Sequence, residues 1–295
     1  MPVSSRLIRR RIRSIANTRK ITKAMELVAA AKMRRSVALT TSSRAYSSTA
    51  KRIVDDVRRL VDPATHPLLA GRPNPVASLI IVTAADRGLC GGFNSQIVKK
   101  TLEFLATRTE TDLRVVTVGK RAEAAIKRAG YPILAAFEAI SNAPTFDRSR
   151  PVGELAYRAF MDGEVDRVFV MYTDFRSAIA QVPTVAQLLP IIPEDELTSA
   201  VDADGGVDGE AGAIFEPNPR AVLDRLLPRL LETRIYQALL ESAASEHSSR
   251  MMTMRNATDN ATGILDDLTF TYNQARQAGI TREISEISAG KAALE

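Results

Sequence analysis

The chain has 295 residues, 45% of them hydrophobic and 25% charged, with one cysteine, two histidines and a net charge of +6. That length suits one large domain or a medium domain with long appendages, and the lone Cys90 excludes an internal disulfide framework or a dithiol switch. No apolar run approaches the roughly 20 residues needed to cross a bilayer, so direct membrane insertion is not expected and any work at a membrane must pass through partners.

The charge is unevenly spread. Residues 3–62 carry 16 Lys and Arg against 4 Asp and Glu, residues 63–218 carry 15 against 20, and residues 219–295 carry 9 against 10. A basic first segment calls for an acidic partner. Its opening, Arg6 to Ser14, shares the basic, acid-poor composition of an organelle transit peptide, but the helical pattern runs on past it without a break.

Between Pro2 and Pro63 there is no proline, and the first glycine is Gly71. Without these breakers, a composition rich in Ala, Arg, Lys, Leu and Met predicts one continuous helix over 1–62, roughly 90 Å long at 1.5 Å per residue. A helix of that length must protrude from a compact domain. Ile8, Ile12 and Ile15, then Ile21, Met25 and Val28, fall at 4-3 spacing. They predict a coiled-coil seam with a phase slip between the two sets. Ala29, Ala30 and Ala31 leave room for a close partner helix.

After a linker over 63–75, the period changes. Residues 76–84 (VASLIIVTA) read as a buried strand. Asn94 is placed to cap a helix carrying Ile97, Val98, Leu102 and Leu105. A strand over 113–119 precedes a helix over 121–129 that ends at Gly130. An apolar run over 133–140 leads to a helix over 152–161 and a strand over 166–172. This alternation predicts a Rossmann-like α/β domain over 63–218 with a largely parallel sheet. The acidic, Gly-rich stretch 193–219 reads as a loop. From 219 to 295 a second long helix is expected. Leu265, Leu268, Tyr272 and Ala275 keep 3-4-3 spacing, and Ile280, Ile284 and Ile287 keep 4-3 spacing. Two such terminal helices most simply pair as an antiparallel coiled coil.

The chemistry-bearing motifs are sparse. The 86–94 segment (DRGLCGGFN) lies between a strand and a helix, where glycines often let backbone N–H groups cradle a phosphate. Its spacing matches neither G-x-G-x-x-G nor the P-loop, which favours a tight structural turn over nucleotide binding. The 202–210 segment (DADGGVDGE) suggests a calcium loop, yet Val207 and Ala213 stand where an EF-hand needs glycine and glutamate. His66 and His247 are unclustered and make no zinc site. Met251, Met252 and Met254 read as core packing. No nucleophilic, acid–base or metal constellation is present, and no cofactor is expected.

Residues 11–33 (RIRSIANTRKITKAMELVAAAKM), the 86–94 segment, Gln181-Val182-Pro183-Thr184, Glu216-Pro217-Asn218-Pro219, the stretch from Ser245-Glu246-His247 to Asn260, and residues 272–284 (YNQARQAGITREI) together resemble the gamma subunits of bacterial F-type ATP synthases. The matches span nearly the whole chain in order. The acidic stretch near Asp202 and the ending Ile287-Ser288-Ala289-Gly290-Lys291 depart from the usual pattern.

The resemblance implies a central rotor stalk with no catalytic site of its own. It would turn inside a ring of three alpha and three beta subunits, one gamma per complex, bound below to an epsilon subunit and the membrane c-ring. It implies beta-subunit contacts at Met25, Arg87, Cys90, Arg276, Gln277 and Thr281, and foot contacts with epsilon or the c-ring at Phe215 and Glu216. It also implies a peripheral position on the cytoplasmic face of the inner membrane. A basic coiled-coil scaffold or nucleic-acid-binding protein is the alternative. Against nucleic acid stand the single aromatic of the first helix, Tyr46, and the lack of a nucleic-acid fold.

Overall fold

A computed structural model describes residues 5–58, 66–191 and 218–292. The chain forms two compact units, Met1–Ala30 with Arg250–Glu295, and Ala31–Ser249. In chain order the elements are α1 (Ser5–Arg58), β1 (Ala77–Thr83), α2 (Phe93–Ala106), β2 (Asp112–Val118), α3 (Lys120–Ala129), β3 (Ile133–Phe137), α4 (Phe146–Met161), β4 (Arg167–Phe175), β5 (Gln181–Leu189) and α5 (Pro219–Ala292).

In the unit Ala31–Ser249 the sheet order is β3-β2-β1-β4-β5, with β5 antiparallel to β4 and the other pairs parallel. Parallel neighbours need long crossovers, which α2, α3 and α4 supply. Both faces are covered, so β1 is apolar at nearly every position rather than alternating. Leu79 and Ile81 face a layer built from Val152, Ala156 and Phe160 of α4 and Leu223, Leu227 and Leu230 of α5. Ile80 and Val82 face Ile97 and Leu105 of α2 and Ala122 and Ile126 of α3.

Local signals set most boundaries. The Thr145 hydroxyl accepts the Arg148 N–H and starts α4 six residues before the expected position. The Asn218 side chain accepts the Ala221 N–H at 2.9 Å, and Pro219 occupies the first turn of α5, where its missing N–H costs nothing. The strand β5 was not expected from its period. Pro183 lies within it, and it is tolerated because β5 is an edge strand with one side of its ladder open.

The other unit is a pair of helices. On α1 the covered positions Ile8, Ile12, Ile15, Arg19, Thr22, Glu26 and Ala29 form an unbroken 4-3 series, with Ala16, Met25 and Ala30 half-buried beside it. The expected phase slip is therefore absent, and Ile21 and Val28 are 61% and 56% exposed. The seam holds its phase by accepting polar residues. Arg and Glu can lay their methylene stems along it, and the Thr258 hydroxyl donates to the Thr22 hydroxyl at 2.8 Å. On α5 the series is Met251, Met254, Thr258, Ala261, Leu265, Leu268, Tyr272 and Ala275, as the sequence predicts for its last four members. With Thr22 opposite Thr258, an antiparallel register sets Ile8 against Tyr272 and Ala29 against Met251, which matches the covered stretch of α5. Ile280, Ile284 and Ile287 are not on this seam. In this register they lie past Ser5, the first described residue of α1, and are 49%, 59% and 73% exposed.

Candidate functional site

The strand–turn–helix at 86–94 is the place where the sequence allowed a phosphate cradle. Its polar groups are instead spent on holding the turn. The Asn94 Oδ1 accepts the Ala85 N–H at 2.9 Å and its Nδ2 donates to Cys90 Sγ at 3.1 Å. Asn94 is thus not the helix cap expected of it. The helix α2 begins at Phe93 after Gly92, with no side-chain cap, and the asparagine reaches back to the turn instead. Asp86 accepts the Lys120 N–H at 3.2 Å and the Ser141 hydroxyl at 2.9 Å. Leu89 takes a positive φ of 63° and Gly91 one of 54°, so the chain folds back tightly and Cys90 points inward with Ala85 and Phe93.

A sheet of this order binds ligands at the C-terminal ends of β1 and β4, where the strand order reverses. Here that crevice is filled by α5. The Thr83 hydroxyl meets the Ser242 hydroxyl at 3.3 Å and donates to Met171 O at 2.8 Å. Ser245 donates to Thr173 O, Ser248 to Ala178 O and Ser249 to Cys90 O, at 3.1, 2.7 and 2.7 Å. Small hydroxyl side chains let the helix sit close while satisfying loop carbonyls that would otherwise be buried without donors. His247 Nε2 lies 2.9 Å from Asn142 O. His66 pairs with Asp224 at 3.1 Å and its Nδ1 accepts the Leu68 N–H. Burial pushes His66 below the ordinary histidine value while the Asp224 carboxylate pulls the other way. Among the described residues no three metal-ligating side chains cluster, and no helix is long and apolar enough to cross a membrane.

The expected contact residues separate by unit. Met25, Arg276, Gln277 and Thr281 belong to the helix pair. Met25 is half-buried beside the seam and the other three are exposed. Arg87 and Cys90 belong to the sheet unit, where Arg87 is exposed and Cys90 is buried. Phe215, Glu216 and the acidic stretch near Asp202 lie outside the described residues. The sequence reading missed a class of candidates that burial exposes: Leu27 and Phe270 at 60% and 66%, together with the isoleucines and Val28 left off the seam. Large apolar side chains left exposed on these two helices are candidates for an interaction surface. The signal was present in the sequence, because these residues break the heptad phase.

The ATP synthase family model matches residues 4–294. The ATP synthase gamma chain of Pelotomaculum thermopropionicum is 41% identical over 295 residues, covering 99% of each chain. This chain belongs to the ATP synthase gamma chain family. The Heliobacterium modesticaldum gamma chain is 42% identical over 97% of this chain and 98% of its own. Among solved structures, the rotor of the Euglena gracilis mitochondrial ATP synthase aligns with a TM-score of 0.64 at 20% identity, covering 94% of this chain and 99% of that one. The central stalk and c-ring of the Tetrahymena thermophila enzyme aligns with a TM-score of 0.58 at 24% identity, covering 80% and 99%. At those identities the likeness shows a shared fold. In this gamma-family chain the crevice is filled by α5, and of the 86–94 segment only Cys90 and Phe93 turn into the core.

Proposed function

We propose that this gamma-family chain is the central rotor shaft of a proton-translocating F-type ATP synthase. It carries c-ring rotation to catalytic sites on the beta subunits and has none itself. The observation that carries the reading is the long helix pair whose seam uses one narrow stripe and leaves large apolar side chains facing outward, in a chain that matches the gamma family almost end to end. A two-helix shaft is not threefold symmetric. Turning inside three alpha and three beta subunits, it offers each beta subunit a different face and so biases each site among open, loose and tight states. That is coupling by differential contact.

In this reading the chain divides into a first shaft helix over 1–62, an α/β foot over 63–218 and a second shaft helix over 219–295. Met25, Arg87, Cys90, Arg276, Gln277 and Thr281 meet beta subunits, Cys90 by supporting its turn from beneath. Phe215 and Glu216 meet epsilon or the c-ring. The complex contains one such chain and lies peripherally on the cytoplasmic face of the bacterial inner membrane. The test is purification of the tagged chain at high salt. Alpha, beta and epsilon subunits are expected to remain with it. Retention on DNA that vanishes with salt, with no alpha or beta subunits, would overturn the reading in favour of a basic nucleic-acid binder.

A further inference from the structure

Within the sheet unit the two long helices are held very differently. The α5 helix is sunk in the apolar core through Leu223, Leu227, Leu230, Leu231, Ile235 and Leu239. The α1 segment of that unit buries no large apolar side chain among the described residues. Its buried members are Ser36 and Thr40, and the Thr40 hydroxyl is spent on Ser36 O. Met33 and Val37 of this segment are half-buried, and polar ties stand beside them. Lys32 Nζ donates to Asn142 Oδ1 at 3.1 Å, and a second set of bonds converges on Arg44. Its Nε donates to Glu241 Oε1 of α5 at 3.0 Å, and its Nη2 lies 2.9 Å from the same oxygen. The Nη2 also donates to Asp174 Oδ1 and Phe175 O at the end of β4, at 3.5 and 3.4 Å.

We propose that Arg44 is the joint through which torque enters the N-terminal helix, one guanidinium fastening α1 to both α5 and the sheet so that the three turn together. The inference rests on the rotor reading, and Arg44 acts in it as a positioning residue. A planar fork suits the task because it can bond two acceptors in fixed directions, which a lysine ammonium does less well. The groups around it support a geometric role. Glu241 is almost fully covered, also accepts from Gln237 Nε2 at 2.7 Å, and shares the cluster with Asp174, which is paired in turn to Arg176 at 3.2 Å. Burial pushes the Glu241 carboxyl above the usual carboxylate range; the Gln237 and Arg44 hydrogen bonds pull it back, and Asp174 adds to the rise. A buried charge of this kind is a poor stabiliser, whereas its direction toward three elements at once fixes their arrangement. Losing the joint leaves α5 anchored by its own apolar face and α1 held by its seam with α5 and by Lys32, so rotation continues with α1 less firmly fixed to the sheet.

The experiment uses the assembled complex in inverted membrane vesicles and measures ATP hydrolysis and ATP-driven proton pumping side by side. Arg44→Ala is expected to leave hydrolysis within about twofold and to cut pumping per ATP by about threefold or more, with Arg44→Lys, which keeps the charge but not the fork, recovering only part of the loss. Glu241→Gln, which keeps shape and an acceptor oxygen, should lower the ratio less than Arg44→Ala. An unchanged pumping ratio in Arg44→Ala overturns the proposal, as does an equal loss in Arg44→Lys. If Arg44→Ala does not assemble, an unchanged ratio in Glu241→Gln overturns it. A wild-type chain that fails to assemble with alpha and beta subunits sinks the rotor reading instead.

Discussion

Asp166 shows how one side chain can close a domain edge. It accepts from Arg72 Nη1 at 2.6 Å and from the N–H groups of Val76 and Ala77 at 2.7 and 3.0 Å, tying the entry to β1 onto the start of β4. Burial alone would raise its pKa, but the Arg72 bond and the two backbone donors outweigh it, so the carboxyl titrates below its ordinary value. A depressed native pKa gives stability that is present above the unfolded value and lost as pH falls through the native one. Urea unfolding of the purified chain should therefore show this contribution fading below about pH 4. Asp166→Asn should cost about 1–2 kcal/mol at neutral pH and flatten that part of the profile. Arg276 lies at the opposite extreme, an exposed side chain. If it donates to a beta-subunit carboxylate, Arg276→Ala should lower multisite turnover of the assembled enzyme about tenfold, the scale of one lost charged hydrogen bond. Binding at a single catalytic site should stay unchanged. Wild-type turnover would reduce Arg276 to a solvated charge.

At the scale of elements, the helix seam distinguishes positions that look alike in sequence. Ala29 is 2% exposed and Ile21 is 61% exposed, though both lie in one helix rich in small and apolar residues. Ala29→Leu should overpack the seam and destabilise the chain by about 1–3 kcal/mol in chemical unfolding. Ile21→Ala should change the same measurement by less than about 0.5 kcal/mol, yet weaken retention of alpha and beta subunits if that face is the docking face. Equal effects of the two substitutions on unfolding would show that the seam has been assigned to the wrong stripe. In the sheet, the turn after β2 depends on Gly119, whose φ of 95° and contact with the Ala84 carbonyl leave no place for a Cβ. That close approach lets β1 and β2 end side by side, so that the Gly119 N–H can reach Phe137 O of β3 at 2.8 Å.

For the whole molecule, the α/β body has the topology of a nucleotide-binding fold with its ligand position taken by the chain's own C-terminal helix. The purified chain alone is accordingly expected to hydrolyse no ATP. Turnover that follows the chain through repeated purification and scales with its amount would contradict this. The same filled crevice explains the serines of α5 between Ser242 and Ser249. A bulkier face there would hold the helix away from Thr83, Thr173 and Cys90.

Local rules made much of this protein legible in the sequence. The helix α1 followed from its missing breakers, β1 from an apolar run too dense for a one-sided strand, α3 from Gly130 in its left-handed cap, and the second half of the α5 seam from its 3-4-3 spacing, although α5 itself runs on through Pro228 and Gly263. The family motifs lie along the chain in order and named the candidate contacts. Tertiary structure alone decided which apolar stripe of α1 is the seam, because a heptad tolerates Arg19, Thr22 and Glu26 when stems and hydroxyls can pack, and period counting ranks isoleucine above them. It also decided the partner of Asn94, the edge position that makes Pro183 acceptable in β5, and the meeting of Arg44 with Glu241, 197 residues apart. Contacts at such separations depend on how the elements dock, and no local pattern of spacing or propensity encodes that.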